Sequence, residues 1–214
     1  MTELVILGDP RSIYVRTARM ACVEKGVDHR VEPMAPHSDE ILAIHPFGRI
    51  PAMRHGAVDL FESGAICRYV DGAFDGPPLQ PADVTERARM EQWISSFNDY
   101  MHPVMIPRFV MQYVFPKGAD GQPDRAVIDE AVPDIAKQFA ILDKIYGGRN
   151  FLVGDTVTLA DLFLAPTLFY ISVMPEGDSL LAGAPNLKRA HAAMAERQSF
   201  TATLPPTAER QAAE

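Results

Sequence analysis

The stretch "FDGPPLQPAD", residues 74–83, constrains this chain more than any other. Pro77, Pro78 and Pro81 each fix φ and withhold an N–H, so neither a helix nor a strand can run through it. One body must form before this segment and another after it. Upstream, short elements of differing period alternate. "ELVIL" (3–7) is a compact β-type run. "YVRTARMACVEKG" (14–26) places Val15, Ala18 and Cys22 at helical spacing, with Gly26 as a stop. "HRVEP" (29–33) reads as a strand and "SDEILAI" (38–44) as a short helix capped by Ser38. "PAMRHGAVDLF" (51–61) reads as a hairpin about its His-Gly pair, and "SGAICRYVDG" as a helix. The order is β-α-β-α-β-β-α. Downstream, the stretches 84–105, 123–148, 158–174 and 185–200 carry helical spacing, and no strand pattern remains. The expected fold is an α/β domain at 1–75, a linker at 76–83 and an all-α bundle at 84–214, with the polar tail from 201 fraying.

Composition narrows what these domains can do. A net charge of −8 argues against a broad nucleic-acid surface. The first ten residues have no basic region followed by an apolar core, so no secretory signal is expected. The longest apolar run, "LFLAPTLFYISVMP", is about 14 residues and includes Pro166, too short to span a bilayer and better suited to a buried helix. The two cysteines, Cys22 and Cys67, form no CxxC pair, which argues against disulfides and zinc and fits a reducing cytoplasm. No metal-ligand spacing, phosphate-binding glycine loop or Ser-His-Asp pattern occurs, and no metal is expected.

Two short segments carry the chemistry. In "HPFGRIPAM" (45–53), Pro51 opens an apolar β-type run. It is either an edge-strand proline or the second member of a cis Ile50–Pro51 bond, which would present the backbone of Ile50 to an extended peptide. In "LFESGAICRYV" (60–70), Ser63 reads as a helix N-cap. A free helix N-terminus also receives a carboxylate, and Glu62 beside it can pair with an ammonium. A carboxylate and an ammonium on one carbon describe an α-amino-acid head group.

The β-α-β-α-β-β-α half, "FGRIPAM", "FESGAI" and the helical second half together resemble the cytosolic glutathione transferases, over roughly residues 3 to 200. The serine-type enzymes of the phi class and related bacterial classes are the nearest in pattern. The resemblance implies a thioredoxin-like first domain that holds glutathione as co-substrate. It also implies a helical second domain with an apolar pocket, a homodimer, and conjugation of the glutathione thiolate to an electrophile. By the same resemblance Ile50 pairs its backbone with the cysteinyl part, Pro51 is cis, and Glu62 with Ser63 holds the γ-glutamyl end. His37 or Arg49 reaches the glycine carboxylate, and His45 stands where the pattern has Asn. "GDTVTLAD" (154–161) matches the family's capping box, Thr158 with Asp161, flanked by Val157 and Leu162.

A free thiol titrates near 8.5, so a hydrogen-bond donor must favour its thiolate. The serine classes keep this donor fourteen residues before the glycine that ends the first helix, which is Ser12 here. Tyr14 is the alternative. Tyr14, Tyr100, Met105, Phe109 and Tyr113 are the candidates for lining a pocket for an apolar electrophile, expected between the domains. A glutathione-dependent isomerase, dehalogenase or peroxidase, or a non-catalytic binding protein of this fold, would share the same head-group site.

Overall fold

The computed structural model describes residues 2–206. Packing divides the described residues into two units: residues 2–80 with 196–206, and residues 81–195.

The first unit is built on a four-stranded sheet. Its strands are β1 (Leu4–Leu7), β2 (His29–Glu32), β3 (Ala52–His55) and β4 (Val58–Phe61), in the order β2-β1-β3-β4. β1 pairs parallel with β2 and antiparallel with β3, which pairs antiparallel with β4. The hairpin forms as expected, though its two-residue connection is Gly56–Ala57, with His55 still in the ladder opposite Val58. Gly56 takes φ +61°, the left-handed value such a tight turn demands.

Helix α1 (Ile13–Glu24) buries Ile13, Val15, Ala18, Met20, Ala21 and Cys22, and α3 (Ser63–Ala73) buries Ile66, Cys67 and Val70. The two cysteines are free thiols inside these helices. Burial pushes the Cys22 thiol up to about 12 and the Cys67 thiol higher still, so neither is a nucleophile. Short α2 (Asp39–Leu42), capped by Ser38, adds Ile41 to a cluster with Leu7 and Ala52. Lys25, at the end of α1, pairs with Asp71 of α3 at 3.2 Å, both side chains buried. Asp71 also accepts from the Leu79 N–H and the Gln80 amide, so both carboxylate oxygens have a donor.

The chain end differs from expectation. The described part of 196–206 belongs to the first unit, not to the helical one. Arg16 of α1 is fully buried, its guanidinium 4.4 Å from the centre of the Phe200 ring and donating to the Phe200 carbonyl at 3.1 Å. Arg19 donates to the carbonyls of Ala202 and Thr203. Glu24 accepts from Arg197 and from the Ser199 hydroxyl. Thr203 is buried, so the fraying expected from residue 201 does not hold as far as 206. Residues 207–214 lie outside the described part.

The second unit contains helices and no strand among the described residues. α4 (Val84–Ser96) is capped by Asp83, whose carboxylate accepts from the Thr85 and Glu86 N–H groups. The expected single helix over 84–105 is instead a run to residue 114 with widened π turns at Phe97–Met101 and Ile106–Val110 around α5 (His102–Met105), ending in α6 (Met111–Val114). Pro103 and Pro107 explain this, because each removes an N–H that the α ladder needs. α7 (Arg125–Tyr146), capped by Asp124, follows. α8 (Leu159–Ser172) is buried from Leu159 to Leu168 on all sides and forms the unit's axis. α9 (Gly177–Ala182) and α10 (Pro185–Ala195) complete the unit, and α11 (Gln198–Thr201) lies in the returning segment.

The capping box predicted for α8 is present. The Asp161 carboxylate accepts from the Thr158 N–H at 2.9 Å, from the Thr158 hydroxyl at 3.0 Å and from the Leu152 N–H at 2.8 Å. Burial pushes Asp161 up to about 6, opposed by these donors. Val157 and Leu162 are both buried at the expected staple positions.

Candidate functional site

Three loops of the first unit carry the residues singled out in the sequence. The first joins β1 to α1. Gly8 ends β1 with φ +150°, and a Cβ there would stand 2.6 Å from Val15 and 3.0 Å from Ile50. Only glycine lets the start of α1 come so close to Ile50. Asp9 and Arg11 form an ion pair across the loop at 2.6 Å, and Arg11 lowers the Asp9 carboxyl below its usual range. Ser12 is the N-cap of α1, half-buried, its Oγ accepting from the Val15 N–H at a long 3.5 Å. Accepting this bond uses only an oxygen lone pair, so the Ser12 hydroxyl proton is available for donation elsewhere. Tyr14 is half-buried in the first turn of the same helix.

The second loop runs from α2 to β3. The Ile50–Pro51 bond is cis. Pro51 leads into β3, an inner strand between β1 and β4, so the edge-strand alternative is set aside. Ile50 is half-buried and packs against the cluster of Leu7, Ile41 and Ala52. His37 and Arg49 are exposed. The His37 N–H donates to the Gly48 carbonyl at 2.8 Å, and a Cβ on Gly48 would strike the His37 ring. His37 and Gly48 both take φ +64°.

The third loop joins β4 to α3. Here the helix-cap reading of Ser63 is corrected. Glu62 is the N-cap residue, with φ +67° and ψ +118° and no side-chain cap bond, while Ser63 is the first helical residue and is buried. The first N–H groups of α3 thus have no partner in their own helix and no capping side chain on Glu62. They make a positive helix end with a carboxylate standing next to it, the Glu62 side chain being 64% exposed. Sequence reasoning assigned no part to His45, yet its Nε2 lies 3.8 Å from Glu62 Oε1. The signal was faint: a histidine in place of the pattern's Asn, seventeen residues from Glu62 in sequence.

In the second unit, Met105 and Phe109 have no exposed surface and are interior residues, each on a different turn of the 97–114 run. Tyr100 is 70% exposed. The Tyr113 hydroxyl donates to Glu176 at 2.6 Å and accepts from Arg125 at 2.9 Å. Burial and Glu176 push Tyr113 up to about 12. These tethers fix the ring where α6 ends. Met105 and Phe109 are therefore corrected from pocket lining to core, because full burial leaves them no face for a ligand.

A mixed sheet of this order with α1 and α3, followed by helices alone, is a thioredoxin-like domain ahead of a helical one. Residues 7–78 match the family "Glutathione S-transferase, N-terminal domain", and residues 97–198 match "Glutathione S-transferase, C-terminal domain". The chain is 31% identical over 211 residues to glutathione S-transferase 3 of Zea mays, covering 95% of this chain and 94% of that one. The solved structure of glutathione S-transferase III in its apo form superposes with a TM-score of 0.83 at 33% identity, over 96% of this chain and 99% of that one. A glutathione S-transferase of Methylobacillus flagellatus, solved with GSH bound, does so with a TM-score of 0.79 at 25% identity, over 95% and 100%. The chain belongs to the glutathione S-transferase family. No described helix is long and apolar enough to cross a membrane.

Proposed function

We propose that this protein conjugates the thiolate of glutathione to a largely apolar electrophile. The observation that carries the reading is the Glu62–Ser63 junction, where an exposed carboxylate stands beside the uncapped N-terminus of α3. The γ-glutamyl carboxylate takes the first N–H groups of α3 with Ser63, and the γ-glutamyl ammonium takes Glu62. The cysteinyl backbone pairs with Ile50 ahead of Pro51, and His37 or Arg49 receives the glycine carboxylate. This pose brings the sulfur toward the N-terminus of α1. There the Ser12 hydroxyl donates to it and the helix dipole favours its negative charge. The thiolate attacks the electrophilic carbon, the leaving group departs with its electron pair, and the thiol proton passes to solvent. In the second unit Tyr100 and Tyr113 are the aromatic candidates with surface to offer an electrophile. Two reduced, buried cysteines support residence in the cytoplasm, and homodimerisation belongs to the same reading.

Ser12→Ala tests it. The variant keeps the head-group contacts, so glutathione still binds. Turnover near neutral pH falls by roughly 10–1,000-fold, the loss expected for one donor to a developing charge, and raising the pH recovers part of it. Titration of thiolate absorbance in the enzyme–glutathione complex reads the cause directly. If the bound thiol titrates at the same pH in both proteins, Ser12 only caps α1 and Tyr14 becomes the residue to test.

A further inference from the structure

We infer that His45 is a positioning residue for glutathione: its Nε2–H steers the Glu62 carboxylate toward the γ-glutamyl ammonium. The inference rests on the reading of Glu62 as the ammonium's partner.

The ring is held from every side. Its side chain is 3% exposed. It packs on Phe61 at 4.7 Å between ring centres and meets Phe47 edge-on at 6.1 Å. The backbone is pinned by bonds from the His45 N–H to the Ile41 carbonyl at 2.7 Å and from the Gly48 N–H to the His45 carbonyl at 2.8 Å. Nδ1 accepts the Phe47 N–H at 3.3 Å. An imidazole nitrogen that accepts carries no proton, so the ring's proton sits on Nε2, the atom facing Glu62. At 3.8 Å the pair is too long for a direct hydrogen bond. A small χ rotation of the exposed glutamate closes the gap, and bonds of this kind commonly tighten when ligand is bound. Glu62 is otherwise a long side chain free in solvent, which must be ordered each time glutathione binds. A fixed donor behind it orders it beforehand, and a neutral donor does so without competing for its charge.

Two substitutions separate this role from simple support of the loop. In His45→Asn the amide oxygen takes the place of Nδ1 and keeps the Phe47 N–H satisfied, but the side chain is too short to reach Glu62. In His45→Gln the amide nitrogen reaches the place of Nε2. With folding verified by circular dichroism, His45→Asn should raise the KM and Kd for glutathione by about 5–10-fold, the size expected for ordering one side chain. Its kcat at saturating glutathione should stay within about twofold, and His45→Gln should recover most of the affinity. The decisive ligand is glutaryl-cysteinylglycine, glutathione without its ammonium. Wild type and His45→Asn should bind it equally. Wild-type affinity for glutathione in His45→Asn would overturn the inference, and so would an equal loss for both ligands, which would reduce His45 to loop packing. Glu62→Ala separates the two layers. If it binds glutathione like wild type, the head-group reading itself fails. If it binds weakly while His45→Asn does not, only the role of His45 falls.

Discussion

Glu62 holds φ at +67°, where a residue with a Cβ costs roughly 1–2 kcal/mol that glycine would not. A chain selected for stability alone would place glycine there. Glu62→Gly is therefore expected to act in opposite directions on folding and binding. Stability should be unchanged or higher by up to about 1 kcal/mol, since relief of strain is partly offset by the freer unfolded chain. Glutathione binding should weaken by about 1.5–3 kcal/mol with the loss of a charge-assisted hydrogen bond. Thermal melting and calorimetry measure the two separately, and a parallel loss of both would make Glu62 a structural residue. At this scale the sequence was legible where position in the fold follows spacing. Ser12, Ile50 and Glu62 could be placed by counting from Gly26 and along two motifs. What could not be counted was backbone conformation. The turn at Glu62 moves Ser63 from cap to first helical residue and swings the carboxylate toward His45.

Among the elements, α8 shows how a buried helix is anchored. Its box was readable as Thr158-x-x-Asp161, but the Leu152 N–H that completes it comes from a loop with no periodic signal. The Asp161 carboxyl has a folded value of about 6 against 3.8 for an ordinary Asp. The folded state therefore binds the proton more tightly than the unfolded one. The stabilisation this gives is fully present below about pH 4 and is lost as pH rises through about 6. Urea unfolding of wild type and Asp161→Asn between pH 4 and 7 should show the wild-type advantage shrinking with rising pH, by about 2–3 kcal/mol at most. A difference constant with pH would mean that Asp161 titrates alike folded and unfolded. The 84–114 run taught the opposite lesson. The apolar spacing of 84–105 reads as continuous helix, and only the backbone consequence of Pro103 and Pro107 turns the run into alternating α and π turns.

On the scale of the whole molecule, the described chain returns to the unit in which it started. Residues 81–195 form one unit, and the chain then returns to the first, laying Phe200 over Arg16 and Arg197 against Glu24. A polar, proline-rich composition gave no hint of this, because the contacts are few, long-range and made largely through α1. Phe200→Ala is expected to destabilise the first unit by about 3–4 kcal/mol, through lost burial and a buried guanidinium stripped of its ring. Hydrogen exchange should show α1 amides losing protection. Unchanged protection across Ile13–Glu24 would mean that the returning segment is passive.

That return also sets a timetable for synthesis. Arg16 and the Phe200 carbonyl it binds are 184 residues apart. At about 5–20 residues per second, Arg16 is translated roughly 10–40 s before Phe200. Throughout that interval the face of α1 around Arg16 lacks Phe200. The first unit is the first to be translated, and it waits for residues 200–203 before it is closed.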